Sequence, residues 1–212
     1  MSSAPNLVIV NTRVANLASV DFAFQRLGIN ATISADPAVI RAASHVVLPG
    51  VGTAGAAMRS LAALELIPVL QQLTQPVLGI CLGMQMLTTS SAEVSSKSAS
   101  QHISCLGVIP GTIERLPAAA NLPLPHMGWN QTQVQQADGS CHPIFAGLAQ
   151  PWFYYVHSFA APVGPSTIAE CQYGSPFAAA IAHNNFIGVQ FHPERSGADG
   201  ERVLQNFLEL TC

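Results

Sequence analysis

The chain has 212 residues, a length typical of one domain, with 49% hydrophobic and only 9% charged residues. A net charge of −3 and only 8 Lys plus Arg argue against nucleic acid as a main partner. No apolar run reaches the ~18 residues that a membrane-spanning helix needs. The excess of apolar side chains predicts either a large core or a surface covered by a partner protein. An Ala-rich domain with a neutral polar surface explains the composition equally well.

The first residues and the cysteines indicate a cytoplasmic protein. The N-terminal residues lack the basic and apolar regions of a signal peptide, so we expect neither export nor membrane attachment. The five cysteines are odd in number and widely spaced, at positions 81, 105, 141, 171 and 212. Because there is no CxxC pair and no HxxxH pattern, we expect no disulfide framework, no metal site and no cofactor.

The first half of the chain alternates short apolar strands with helical stretches. Strands are predicted at residues 7–10, 31–33, 46–48 and 77–80, and helices at 17–27, from 37 onwards, at 56–64 and at 67–73. Asn16 and Asp36 can cap the first two helices, and Gly28 ends the first of them. This alternation predicts an α/β fold with a doubly wound parallel sheet.

The second half of the chain has a different pattern. Residues 90–104 are rich in Ser and Ala and predict a mobile surface loop, whereas residues 107–182 predict short strands joined by Pro and Gly turns. A buried strand is predicted at 186–191 and an amphipathic helix at 200–210. Because no internal repeat or interdomain linker is evident, we expect one domain over residues 1–212.

Cys81 stands between two glycines where an apolar strand meets the start of a helix. Gly79 and Gly83 each lie two residues from it, which is the spacing of a nucleophile elbow with cysteine in place of serine. A helix N-terminus and a nearby imidazolium would favour the reactive thiolate. The sequence therefore predicts a catalytic cysteine, and the alternative is a buried structural thiol.

His192 is the candidate base. It directly follows the predicted strand at 186–191, and Glu194 stands two residues further on. Since Pro193 stiffens this short segment, Glu194 can hydrogen-bond the far imidazole nitrogen and fix its tautomer, as the third member of a triad does. The carboxyl ends of parallel strands meet at one edge of a sheet, so we expect His192 to lie near Cys81. The alternative is a turn histidine beside a solvent-facing carboxylate.

Two backbone N–H groups are candidates for an oxyanion hole. The N–H of Leu82, directly after the cysteine, is one donor, and Val51 between Gly50 and Gly52 supplies the second. The two glycines would let the Val51 peptide change its orientation at low cost. A simple turn is the alternative for this loop.

Three segments together resemble the class I glutamine amidotransferases, which carry a Cys-His-Glu triad. They are PGVG at 49–52, GICLGMQ at 79–85 and GVQFHPE at 188–194. The segments at 16–20, 125–130 and 154–159 are similar to those of one branch of the family, the glutaminase subunits of imidazole glycerol phosphate synthase. The resemblance implies a single glutamine amidotransferase type 1 domain. Its fold would be flavodoxin-like α/β, with a central, mostly parallel sheet flanked by helices and with added antiparallel strands.

The resemblance also implies roles for individual residues. Cys81 would attack the side-chain amide of L-glutamine to give a γ-glutamyl thioester, and His192, oriented by Glu194, would protonate the departing ammonia and then activate water. Val51 and Leu82 would form the oxyanion hole. The residues implied to bind glutamine are Gly50, Gly52, Gln85, His157, Ser158 and Phe159.

A partner protein is a further implication. In this branch the ammonia passes to a separate cyclase subunit, a (β/α)8 barrel, within a heterodimer. The cyclase makes imidazole glycerol phosphate and aminoimidazole carboxamide ribotide in histidine biosynthesis. The chain is too short to contain such a barrel, which needs ~250 residues. Candidate docking residues lie at 11–16, at 127–130 and around Arg195, although core packing is an equal alternative for Trp129.

Two departures from the family pattern fall in this docking region. Residues 11–16 read NTRVAN where many members have Asp-Tyr-Gly-x-Gly-Asn, and Arg195 stands where Lys is frequent. Both departures concern residues expected to contact the partner, and neither changes a residue of the triad. Three other functions stay open: a glutaminase subunit of another synthase, a free-standing γ-glutamyl hydrolase, and a non-catalytic docking subunit, which the complete triad disfavours.

Overall fold

The computed structural model describes residues 5–13, 16–93, 102–117, 122–134 and 140–211. The strands are β1 (Leu7–Val10), β2 (Thr32–Ser34), β3 (His45–Gly50), β4 (Val77–Cys81), β5 (Thr88–Ser91), β6 (Ile103–Ser104), β7 (Ile109–Arg115), β8 (His126–Gln133), β9 (Trp152–His157), β10 (Phe159–Ala160), β11 (Thr167–Tyr173), β12 (Ser175–His183) and β13 (Phe186–Val189). The helices are α1 (Leu17–Arg26), α2 (Pro37–Arg41), α3 (Ala54–Ala63), α4 (Ile67–Gln71), α5 (Leu82–Leu87) and α6 (Gly197–Glu209). Two 3-10 turns span Pro143–Phe145 and Pro193–Arg195.

The main sheet has nine strands in the order β2-β1-β3-β4-β13-β12-β11-β8-β9. The strands from β2 to β13 in this order are parallel to their neighbours, and the remaining pairs are antiparallel. A second sheet has the order β10-β7-β5-β6. This topology confirms the predicted α/β fold with a parallel sheet and added antiparallel strands.

The register of the parallel strands brings three segments to one edge of the sheet. Gly50 at the end of β3 pairs with Cys81 at the end of β4, and Val189 at the end of β13 pairs with Ile80. His192 follows β13 by three residues. The loop after β3, the cysteine turn and the histidine turn therefore meet where ligands bind in open α/β sheets.

Two apolar clusters form the core. One cluster includes Phe24 of α1 and Phe207 of α6, and the other includes Leu61 of α3 and Leu70 of α4. All of β1, β3 and β4 is buried, as expected for parallel strands that are covered on both faces. Much of the apolar excess of the composition thus lies in the core. Within the described ranges, no helix is long and apolar enough to cross a membrane.

The first two helices begin and end where local side-chain chemistry predicts. The side chain of Asn16 accepts from the N–H of Ser19 (3.4 Å), and that of Asp36 accepts from the N–H of Ala38 (2.7 Å). Gly28, just after the end of α1, has a φ of +77°, a conformation that side chains disfavour. Both caps and the glycine stop are confirmed.

The predicted loop at residues 90–104 is partly wrong. Ser90 and Ser91 end strand β5 and pair with Ser104 and Ile103 of β6, while Ser91 also pairs with Ile113 of β7. Residues 94–101, in the middle of this segment, lie outside the described residues. These strands escaped prediction because β5 depends on β7, about twenty residues away, and β6 depends on β5, while Ser-rich segments carry little intrinsic strand signal.

Candidate active site

Cys81 lies on a strained turn between β4 and α5. Its φ of 54° and ψ of −111° are values that a residue with a side chain keeps only under constraint from its surroundings. A Cβ on Gly83 would overlap the carbonyl oxygen of Leu48, and one on Gly79 would come within 2.7 Å of the backbone nitrogen of Met84. Helix α5 thus packs directly on the backbone of β3 and β4, which requires glycine at both positions.

His192 and Glu194 form a hydrogen-bonded pair after β13. Nδ1 of His192 lies 2.8 Å from Oε1 of Glu194. The backbone N–H of His192 donates to the carbonyl of Tyr154 on β9 (2.9 Å), and the hydroxyl of Ser196 donates to the carbonyl of His192 (2.6 Å). The same hydroxyl accepts from the N–H of Tyr154 (2.9 Å). The imidazole is therefore oriented from β9 as well as from its own turn.

The surroundings of His192 favour its protonated form. Burial acts to lower the pKa of His192, but the interactions with the nearby Cys81 sulfur and with the hydrogen-bonded Glu194 carboxylate outweigh burial and raise the pKa to about 10. Nε2 has no hydrogen-bond partner among the described residues, although Cys81 is near enough to act on the imidazole. The ring can therefore enter a reaction as an imidazolium with Nε2 free to donate.

One cavity of about 410 Å³ is lined by all the residues predicted for the triad, the oxyanion hole and glutamine binding, and its volume suits a small metabolite. The lining includes the triad candidates Cys81, His192 and Glu194, the oxyanion candidates Val51 and Leu82, and the glutamine-binding candidates Gly50, Gly52, Gln85, His157, Ser158 and Phe159. The fold thus brings all eleven together, while the role of each stays a prediction.

The loop after β3 lies against the cysteine turn. A Cβ on Gly50 would come within 2.9 Å of the backbone nitrogen of Gly83, so β3 approaches the start of α5 as closely as backbones can. Gly52 has a φ of +90°, which disfavours any other residue there. Val51, between these glycines, has 42% of its surface exposed and lines the cavity. The loop thus forms part of the cavity wall beside Cys81, and the oxyanion role of Val51 stays a prediction.

Two buried histidines form a hydrogen-bonded chain beside the cavity. Nδ1 of His157 lies 3.0 Å from the carbonyl oxygen of Phe159, which can only accept, so this nitrogen carries the proton. Nε2 of His157 then accepts from Nδ1 of His126 at 3.1 Å. Burial lowers the pKa of His126 to about 4 and that of His157 to about 3. Since both nitrogens of His157 are engaged and the ring is neutral, His192 is the better proton donor among the cavity histidines.

Glu93 lines the cavity although the sequence analysis did not single it out. Its Oε2 accepts a hydrogen bond of 2.6 Å from the N–H of Ala54, at the start of α3. Burial raises the pKa of this carboxyl, and the hydrogen bond from Ala54 opposes the rise. One weak signal was available, because Glu93 is the only acidic residue between Glu65 and Glu114. It was missed because it stands in the segment interpreted as a loop.

Comparison with known proteins gives a family and a set of relatives. The sequence profile of the family described as Glutamine amidotransferase class-I matches residues 10–210. The chain is 52% identical over 206 residues to "Imidazole glycerol phosphate synthase subunit HisH" of Vibrio cholerae, which covers 97% of this chain and 98% of that protein. It is 53% identical over 220 residues to the protein of the same name from Colwellia psychrerythraea, which covers 99% and 95%.

Solved structures of much lower identity share the fold. A glutamine amidotransferase structure has a TM-score of 0.70 at 17% identity, covering 95% of this chain and 97% of that chain. The structure of PurLQS from Thermotoga maritima also has a TM-score of 0.70 at 17% identity, covering 98% and 99%. The profile match extends over nearly the whole sequence, and the relatives keep about half of its residues. The chain therefore belongs to the class I glutamine amidotransferase family.

Proposed function

We propose that this chain is the glutamine-hydrolysing subunit of an imidazole glycerol phosphate synthase, acting in the cytoplasm in histidine biosynthesis. Its support is the identity of about one half, over nearly the full length, to relatives of that name. Residues 1–212 form one amidotransferase domain in this proposal, since the family profile spans residues 10–210. The four described cysteines are free thiols, as is usual in a reducing compartment.

The observation that carries the proposal is the pairing of His192 with Glu194 beside Cys81. The contact of 2.8 Å fixes Nδ1 of His192 on the carboxylate and leaves Nε2 directed to other partners. Cys81, His192 and Glu194 line the same cavity and come from two neighbouring parallel strands and their following turns. A nucleophile, a base and a group that orients the base are the parts that acyl transfer needs.

Acylation follows from these positions. The Cys81 thiolate attacks the amide carbon of glutamine and forms a C–S bond. The oxyanion that develops on the amide oxygen accepts hydrogen bonds from the N–H groups of Leu82 and Val51. As the C–N bond breaks, the His192 imidazolium gives its proton to the leaving nitrogen. Ammonia departs, a γ-glutamyl thioester stays on Cys81, and His192 is neutral.

Deacylation reverses the direction of proton flow. Neutral His192 takes a proton from a water molecule as the water oxygen attacks the thioester carbon. The C–S bond then breaks, the new γ-carboxyl gives its proton to water as glutamate is released, and the thiolate and imidazolium are restored. Glu194 stays hydrogen-bonded to Nδ1 throughout and stabilises the cationic ring. No group besides those of the cavity and water is needed to balance the reaction.

Glutamine carries charges that the cavity can match. Its α-ammonium is complementary to the Glu93 carboxylate, which lines the cavity and is held by the start of α3. The backbone of Gly52 and of Ser158 and Phe159 provides hydrogen-bonding groups for the amino-acid end, and Gln85 closes the wall. In this proposal these contacts place the amide carbon of glutamine next to the sulfur of Cys81.

The cyclase partner, a (β/α)8 barrel in our proposal, would dock on the face that carries Met127 and Trp129. These side chains are 63% and 53% exposed, so core packing does not explain Trp129. The Trp129 ring lies 6.4 Å from that of Tyr154, and the Arg195 guanidinium lies 5.5 Å from the Tyr154 ring. Arg195 also lines the cavity, so this face adjoins the site where ammonia is released. Of the other candidate docking residues, 14 and 15 lie outside the described ranges.

The proposal is tested by measuring ammonia release from glutamine, with and without a cyclase subunit and its ribotide substrate. We expect a strong increase when both are present. Replacing the nucleophile (Cys81→Ala) is expected to abolish glutamine-dependent turnover, while the same complex still runs on added ammonium. The control is Cys141→Ala, because Cys141 is exposed and does not line the cavity.

Two results would contradict the proposal. Glutaminase activity retained in Cys81→Ala would show that another group is the nucleophile. Equal, high turnover by the free chain, with no complex detected by ultracentrifugation, would favour a free-standing hydrolase over a synthase subunit.

A further inference from the structure

The side chain of Gln190 contacts the sulfur of Cys81. Gln190 follows β13, is fully buried, and stands two residues before His192. Its Nε2 lies 3.8 Å from Sγ of Cys81, a separation that suits an N–H···S hydrogen bond because sulfur is a large acceptor. At the other end of the amide, Oε1 lies 3.0 Å from Nε2 of Gln85. Gln190 belongs to neither the triad, the oxyanion hole nor the glutamine-binding set described above.

The direction in which the Gln190 amide points is fixed by one backbone carbonyl. The Phe159 oxygen can only accept, so the Gln85 atom 2.9 Å from it must be the NH2 group. The same NH2 group faces Gln190 at 3.0 Å, so the atom it meets there must be the carbonyl oxygen of Gln190. The NH2 group of Gln190 is then left to face the sulfur. If the Gln190 amide were reversed, its NH2 group would face the NH2 group of Gln85, and two donors would meet without an acceptor.

The sulfur of Cys81 has a second contact, which favours the neutral thiol, whereas the contact with Gln190 favours the thiolate. Sγ of Cys81 lies 4.0 Å from the carbonyl oxygen of Val156, which accepts from a thiol but offers nothing to a thiolate. The amide of Gln190 donates to the thiolate and so favours the charged form. The two contacts of the sulfur therefore differ in kind, since the Val156 carbonyl is an acceptor and the Gln190 amide is a donor.

We propose that Gln190 is a further catalytic residue, whose amide N–H stabilises the thiolate of Cys81. The proposal rests on the proposed function, because it takes Cys81 as the nucleophile. Besides Cys81, the titratable groups that line the cavity at the sulfur are His192, Glu194 and Arg195 after β13, Glu93 after β5, and His157 on β9. Gln190 differs from all of them because it is an uncharged donor in contact with the sulfur, so its effect persists at any pH at which the fold is stable.

The experiment measures the rate at which iodoacetamide alkylates Cys81 as a function of pH, with the modified peptide quantified by mass spectrometry. Gln190→Met keeps the volume of the side chain and removes the donor. Since hydrogen bonds to charged groups are the stronger ones, we expect the pH midpoint of alkylation to rise by about one unit, a ~10-fold loss of thiolate near neutral pH. The matched control is Gln71→Met, which removes a donor to the Leu106 carbonyl (2.8 Å) far from the sulfur. We expect this control to leave the midpoint unchanged.

A second variant covers the case in which Gln190→Met does not fold. Gln190→Glu keeps an oxygen for Gln85 and puts a carboxylate beside the sulfur. Because a carboxyl is more acidic than a thiol, one negative charge shared by the two groups resides on the carboxyl, and alkylation at pH 8 should fall more than 10-fold. A purely structural role for Gln190, acting through Gln85, would raise the KM for glutamine and leave the alkylation profile in place.

The proposed function and the role of Gln190 can fail separately. If the wild-type complex releases no ammonia from glutamine, the proposed function fails, whatever the alkylation profile shows. If the wild-type complex is active and the alkylation midpoint is unchanged in folded Gln190→Met and Gln190→Glu, the role of Gln190 is refuted and the proposed function stands.

Discussion

Replacing Gly83 by alanine probes how the cysteine turn is held. A single methyl group at this position would occupy the space of the Leu48 carbonyl oxygen, at the end of β3. That oxygen belongs to a buried strand that is paired on both sides, so it cannot move away easily. Helix α5 would have to lift from the sheet instead, and Cys81 at its start would move with it.

Two effects of opposite sign decide the change in stability. Alanine favours a helix over glycine by ~1 kcal/mol. Overpacking a rigid core costs ~1–3 kcal/mol, and here the clash involves backbone on both sides, which places the cost at the upper end. We therefore expect Gly83→Ala to lower the free energy of unfolding by ~1–2 kcal/mol. A displacement of Cys81 by ~1 Å would lower the rate of glutamine hydrolysis ~100-fold.

The assay combines urea unfolding with ammonia release by the complex. Gly164→Ala is the matched control, because a Cβ there would meet only the Pro162 carbonyl oxygen at 4.0 Å, and the Gly164 φ lies outside the left-handed region. The control should change neither quantity appreciably. Wild-type stability together with wild-type turnover in Gly83→Ala would refute the requirement for close packing at this turn.

Three further predictions concern charged groups of the site and its surroundings. The pKa values of His126 and His157 are lowered to about 4 and about 3, so below pH 6.5 these two histidines bind more protons in the unfolded chain than in the native chain. We therefore expect the free energy of unfolding to fall as the pH is lowered towards 4, which urea unfolding at pH 7 and at pH 5 measures. His126→Phe should make this fall in the free energy of unfolding smaller. Glu194→Gln removes a carboxylate that raises the pKa of His192, so the variant loses its imidazolium at a lower pH. We expect the alkaline limb of the pH profile of ammonia release, measured between pH 6 and 10, to shift to lower pH. An unchanged limb would argue against the pairing of His192 with Glu194. Glu93→Gln should raise the KM for glutamine ~10–100-fold, because Glu93 lines the cavity and its charge is lost. The variant should also no longer discriminate against a substrate that lacks the α-amino group. Discrimination that persists in the variant would exclude the Glu93 carboxylate as the partner of the α-ammonium.

The parts of the fold that were predictable follow from local patterns. Apolar runs between capped helices predicted the parallel strands, and capping by Asn16 and Asp36 located two helix starts to the residue. The second sheet was not predictable in this way, because Ser90 and Ser91 gain strand structure from partners in β6 and β7 that no local preference identifies. Tertiary pairing decides such segments.

The same distinction holds for the candidate site. The triad candidates could be found because each follows an apolar strand and stands in a short motif. The roles of Glu93 and Gln190 were not found, although Gln190 stands within the motif at 188–194, because both depend on contacts between residues far apart in the sequence. Glu93 meets Ala54, and Gln190 meets Gln85, 105 positions away. A carboxylate in a Ser-rich segment and a glutamine at the end of a strand have no chemistry of their own until the fold supplies the partner.

The contacts of the Cys81 sulfur also connect the site to the face proposed for docking. The carbonyl that accepts from the thiol belongs to Val156 on β9, and Val156 pairs directly with Met127 on β8. Because β9 is the last strand of the sheet, its position depends on β8 on one side and on the turn of His192 on the other. A partner docked on Met127, as proposed, would cover the neighbour of a strand that carries both the acceptor of the thiol and the anchor of the imidazole. If that docking displaces β9, we expect the reactivity of Cys81 to change without any contact between the partner and the sulfur.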